Sequence, residues 1–152
     1  MNYLYKEKDT TAEILKEAFF VGIYTLVLYL ILSFFIKNQI ILFFTLGFVK
    51  HFLGDFIQLH TFFCNYGYAC NYYFGKDNIL HRISERREIV ILIESILEGF
   101  LFLFIYFFLF SVLSKKWYWI FYIGFFIHYA FEKIGVHHLF CKYRCSNTIT
   151  IS

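Results

Sequence analysis

Four apolar stretches, joined in pairs by turns too short to do anything but reverse the chain, constrain this sequence most. They run roughly over Ala18–Ile36, Gln39–Ile57, Ile89–Leu113 and Trp117–Phe131. Each reaches or approaches the ~20 helical residues needed to cross the hydrocarbon core of a bilayer. Only Lys37 and Asn38 separate the first pair, and only Ser114, Lys115 and Lys116 the second. Connections this short predict antiparallel helical hairpins. A water-soluble domain is about 45–50% apolar, whereas this chain of 152 residues is 60% hydrophobic and 25% aromatic and has no proline. Lipid must cover part of such a surface. The expected fold is all-α and polytopic, with four transmembrane helices in two tandem hairpins forming one membrane domain over residues 1–152. Hairpin 1 covers about 10–64, a polar connecting loop about 58–88, hairpin 2 about 87–141, and a short polar tail 142–152. This composition excludes a soluble enzyme and a secreted disulfide scaffold. A net charge of +3, scattered along the chain, also excludes a nucleic-acid partner.

Orientation is read from the basic residues. The N-terminal arm, the connecting loop and the tail hold Lys6, Lys8, Lys16, Lys76, Arg82, Arg86, Arg87, Lys142 and Arg144, while the tight turns hold Lys37, Lys115 and Lys116. The positive-inside rule then puts both termini on the cytoplasmic or matrix side. Trp117, Tyr118 and Trp119 form the aromatic belt of the opposite face. The residue usage, rich in Phe, Ile, Tyr, Lys and Asn, is that of a very AT-rich genome. It points to the mitochondrial inner membrane. No cleavable signal peptide is expected, because a charged arm precedes the first apolar run and no small-residue cleavage site follows it. On a reducing side the four cysteines are expected as free thiols.

A shift of 77 residues aligns the two hairpins without a gap, and residues 10–64 and 87–141 share 15 identities in 55 positions. The matches include scarce residues: Glu17 with Glu94, Gly22 with Gly99, Gly47 with Gly124, His51 with His128, His60 with His137 and Cys64 with Cys141. Asp55 aligns with Glu132. The expectation is an internal repeat that gathers ionisable groups at one membrane face, where such groups are functional suspects by default.

Three chemistries fit that gathering. His51 and His128 lie at equivalent depths, and a twofold relation could aim both imidazoles at one iron, a bis-His haem b site within a four-helix bundle. The plainer alternative bonds each histidine to the carboxylate one turn on, His51 to Asp55 and His128 to Glu132. The units His60/Cys64 and His137/Cys141 each place two ligands on one helical face and together offer a Cys2His2 zinc site. This spacing is generic, so zinc is the lesser expectation. Glu94 and Glu98, one turn apart in the third span, suit either a proton or quinone role or simple snorkelling to the interface.

The segment Asn78-Ile79-Leu80-His81-Arg82-Ile83-Ser84 resembles the His-Arg-x-Ser signature of the cytochrome b membrane-anchor subunit of succinate dehydrogenase, complex II. The resemblance covers roughly residues 78–141 and continues with His128 and with Gly135-Val136-His137-His138-Leu139. It implies a ubiquinone pocket around Arg82, with Asn78 where the family has Ser, and with Ser84 and His81 beside it. It further implies that His128 ligates haem b, and that a second anchor subunit supplies the other axial histidine, an alternative to His51. A second resemblance, to small uncharacterised bacterial and phage membrane proteins, rests on His51-x3-Asp55-Phe56, Leu80-His81 and His128-x3-Glu132. The expected function is therefore an anchor subunit of a respiratory-chain complex, bound to an iron–sulfur subunit and a second anchor in the lipid bilayer. Such a chain is not catalytic alone and passes electrons to ubiquinone within succinate:quinone oxidoreductase. The alternatives are a cofactor-free structural subunit of a large membrane assembly, and a metal-dependent membrane protein that uses the two His-x3-Asp/Glu pairs.

Overall fold

A computed structural model describes residues 2–74, 82–84, 88–109 and 116–147, with backbone alone for 2–10, 82–84, 146 and 147. Helix α1 covers Asn2–Phe35, α2 Gln39–Phe56, α3 Leu59–Tyr66, α4 Tyr68–Phe74, α5 Glu88–Leu109, α6 Trp119–Lys133 and α7 Val136–Arg144. Two short strands, β1 (Arg82–Ser84) and β2 (Cys145–Asn147), pair antiparallel with Arg82 opposite Asn147 and Ser84 opposite Cys145. The chain is helical, as expected. Among the described residues, three helical segments are long and apolar enough to cross a membrane: Thr11–Phe35, Gln39–Phe56 and Glu88–Leu109. Helix α6 has 15 residues, about 22 Å at 1.5 Å per residue, short of a ~30 Å hydrocarbon core.

Two expectations are corrected. The first helix does not begin near Ala18 but extends back to Asn2, giving 34 residues, so Glu17 sits in mid-helix. The region expected as a polar loop is partly folded, because α3 and α4 occupy Leu59–Tyr66 and Tyr68–Phe74.

Local chemistry sets the boundaries. At the first tight turn the Asn38 carboxamide accepts the N–H groups of Ile40 (3.0 Å) and Ile41 (3.2 Å), capping α2. Helices α3 and α7 each start after a residue in the left-handed region, Gln58 (φ 59°) and Gly135 (φ 82°). These two positions are 77 residues apart. So are the last residues of α2 and α6, Phe56 and Lys133.

The most extensive helix contacts pair α2 with α5 and α1 with α6. Glycine permits both. A Cβ on Gly47 would sit 2.9 Å from the Gly99 Cα and closer still to the Glu98 carbonyl, and one on Gly124 would strike the Thr25 side chain. Between these contacts the core contains Leu28, Phe43, Leu46, Phe102, Ile120 and Ile123. Large apolar side chains such as Phe19, Phe34, Phe104 and Phe108 point outward, as lipid contact requires.

Replacing Gly47 by Ala pushes α2 off the α5 backbone and should cost about 1–3 kcal/mol. Gly54→Ala, whose nearest neighbour would be 3.7 Å away, should be neutral or gain about 0.5–1 kcal/mol from helix propensity. Thermal unfolding of the two variants in detergent, followed by circular dichroism, checks the contrast.

Candidate functional site

Helices α2 and α6 end at the same end of the bundle, and each carries a histidine and a carboxylate one turn apart over its last two turns. The turns at Gln58 and Gly135 fold α3 and α7 back, so that each returns a second histidine. Two clusters result.

In the first cluster His51 does not bond Asp55. Its Nδ1 lies 2.9 Å from Glu98 Oε2 and its Nε2 3.1 Å from Glu94 Oε2, both on α5. Lys50 forms an ion pair with the other Glu98 oxygen. Asp55 instead meets the His60 Nδ1 at 3.2 Å and the Arg144 Nη2 at 3.4 Å. The Arg144 Nη1 reaches Glu94 Oε2 at 3.4 Å, so one guanidinium from α7 bridges the two carboxylates. The His51 and His60 rings are 4.8 Å apart.

In the second cluster His128 faces α1, with its Nε2 3.6 Å from Glu17 Oε2. That is beyond hydrogen-bond distance. The other Glu17 oxygen accepts the Tyr68 backbone N–H at 2.7 Å. Glu132 Oε2 bonds His137 Nδ1, and the His128 and His137 rings are 4.4 Å apart. Ligand atoms of His128, Glu132 and His137 all lie within 4.8 Å of one another. His128 and Glu132 are only 8% and 6% exposed, yet His128 Nε2 and Glu132 Oε1 have no hydrogen-bond partner.

The four cysteines form a third buried group. They are not free thiols: Cys64 is bonded to Cys145 and Cys70 to Cys141. The Cys2His2 zinc site of His60, Cys64, His137 and Cys141 is thereby corrected, because a disulfide sulfur lacks the thiolate charge that binds zinc. The bonds tie α3 and α4 to α7 and β2. Disulfides persist mainly in oxidising compartments, whereas the basic residues are read as marking a reducing side.

The remaining expected residues are placed unevenly. Asn78 and His81 lie outside the described residues, and Arg82 and Ser84 are placed by backbone alone, in β1. The bis-His haem geometry does not fit His51, since carboxylates engage both its ring nitrogens and neither is left for iron. Lys50 and Arg144 were not singled out from the sequence as site residues. A lysine beside a histidine inside an apolar helix was the available signal for the first. For Arg144 there was none, because it reads as part of a basic tail. No protein family, curated protein or solved structure matches this chain.

Burial, and next the charge of His51, push the His60 imidazole down to about 4, against the pull of Asp55. Arg144 adds in the same direction. The folded protein thus keeps His60 neutral where the unfolded chain, with its ordinary value of 6.5, takes a proton. Stability contributed by this group should fall as pH drops from about 6.5 towards about 4, and be level above that window. Unfolding midpoints across that range should flatten in His60→Gln. Separately, no cysteine should react with an alkylating reagent until a reductant is added. Reduction should then cost about 2–4 kcal/mol per bond, read as a lower midpoint.

Proposed function

We propose that this chain is a metal-dependent integral membrane protein, built as a duplicated helical hairpin with four spans, that binds one divalent transition-metal ion at one membrane face. His128, Glu132 and His137 supply the ligands, and Glu17 stands beside them. Four features support the duplication: the aligned ends of α2 and α6, the paired left-handed residues Gln58 and Gly135, and the cross-hairpin glycine contacts at Gly47 and at Gly124. The fourth span is α6 together with the aromatic turn before it.

One observation carries the metal reading. A buried imidazole nitrogen and a buried carboxylate oxygen both lack a hydrogen-bond partner, within 4.8 Å of a third ligand. Leaving such groups unsatisfied costs about 1–3 kcal/mol each, and a shared cation removes both costs. Two imidazoles with one or two carboxylates suit zinc or iron(II) better than calcium or magnesium, which prefer an all-oxygen shell. Among the described residues no contact favours haem b or ubiquinone over this ion. We read the clustered end as facing an oxidising compartment, and the two disulfides support that side over the one favoured by the basic residues.

Protein purified in detergent, stripped with a chelator and titrated with Zn²⁺ or Fe²⁺ should take up close to one equivalent. Bound metal should raise the unfolding midpoint by mass action, about 2.7 kcal/mol at a hundredfold excess over Kd. His128→Ala and Glu132→Gln should each weaken uptake by about 100-fold or more. A protein that takes up no stoichiometric metal overturns the reading.

A further inference from the structure

We propose that Arg144 is a built-in cation that closes the first cluster to metal, and that Gly67, the equivalent position, leaves the second cluster open. The inference rests on the metal reading above and sets how many ions one chain holds.

The argument starts from the 77-residue correspondence, which continues past the cysteines. Tyr66 aligns with Tyr143 and Gly67 with Arg144. The two clusters then match position by position: His51 with His128, Asp55 with Glu132, His60 with His137, and Glu94 with Glu17. They differ in their cations. Arg144 spans Asp55 and Glu94 at 3.4 Å on each side, and is itself only 4% exposed. Its equivalent has no side chain at all. At that place the second cluster offers only a neutral donor, the Tyr68 backbone N–H on Glu17.

A second difference acts in the same direction. The first cluster also contains Lys50 paired with Glu98, and the equivalent positions are Ile127 and Val21. Among the described residues, three carboxylates therefore meet two fixed cations in the first cluster. In the second, among the described residues, Glu17 and Glu132 meet no lysine or arginine. The atoms without a hydrogen-bond partner differ in kind. In the second cluster they are an imidazole nitrogen and a carboxylate oxygen, His128 Nε2 and Glu132 Oε1, which are metal-ligand types. In the first they are Arg144 Nε and Nη1, which are donors, and both nitrogens of His51 are bonded. A divalent ion supplies to Glu17 and Glu132 the charge that Arg144 supplies to Glu94 and Asp55.

Gly67 is also held small by its surroundings, since a Cβ there would collide with the Phe63 carbonyl. The backbone itself thus excludes a side chain, and with it a guanidinium, at Gly67. One repeat is a salt-bridged structural copy and the other is the binding site.

The test is Zn²⁺ stoichiometry and affinity on the full chain in detergent, with circular dichroism and size-exclusion profiles to confirm folding. Wild type should bind one ion. His60→Gln, in the first cluster, should leave both stoichiometry and affinity unchanged within about threefold. His137→Gln, the equivalent change in the second, should weaken binding by about 100-fold or more. Arg144→Gln should admit a second ion. The proposal is overturned if wild type binds two ions, if H60Q weakens binding as much as H137Q, or if folded R144Q still binds one. Should R144Q not fold, the comparison of H60Q with H137Q decides alone. Wild type binding no zinc would instead overturn the underlying metal reading, a different result from two ions.

Discussion

An ionised group in an apolar bundle must find a countercharge, and this requirement organises the protein. Desolvating a carboxylate or an ammonium costs several kcal/mol even after relaxation, and lipid offers no water to share that cost. Glu98 on α5 is answered by Lys50 and His51 on α2, and Asp55 by His60 and Arg144. Those pairs join four elements, α2, α3, α5 and α7, at one end of the bundle. The helix packing below them has to bring each partner within reach.

Glycine makes that approach possible. Helix α2 meets α5 at Gly47 and Gly99, and α6 meets α1 at Gly124, so backbones come close where larger residues would hold them apart. Close backbones let His51 reach across to Glu94 and Glu98 instead of down its own helix to Asp55. Asp55 is thereby released to His60 and Arg144. The two disulfides then hold α3, α4 and α7 over these groups, closing the end of the bundle from the side away from the spans.

The two clusters carry corresponding histidines and carboxylates in different surroundings. Arg144 and Lys50 pair with the carboxylates of the first, while among the described residues Glu17 and Glu132 of the second meet no lysine or arginine. On the proposed reading, the cluster without its own cation is the one that binds another.

Much of this was legible in the chain. Hydropathy and the two short turns marked the helical, membrane-type architecture, because apolar length and loop length act locally. The 77-residue alignment picked out His51, His60, His128, His137, Glu17 and Glu94, because scarce polar residues in an apolar background stand out in any register. Their partners were not legible. Spacing along α2 and α6 suggested bonds from His51 to Asp55 and from His128 to Glu132, but His51 bonds the cross-helix Glu94 and Glu98 instead, and Glu132 bonds His137. Cysteine pairing was equally hidden, since Cys64 and Cys145 are 81 residues apart and meet only when α3 and α7 fold back. The place of Arg144 was decided last. A tail arginine becomes a buried cation only when tertiary packing carries the end of α7 between Asp55 and Glu94, and no local pattern encodes a contact made across 89 residues.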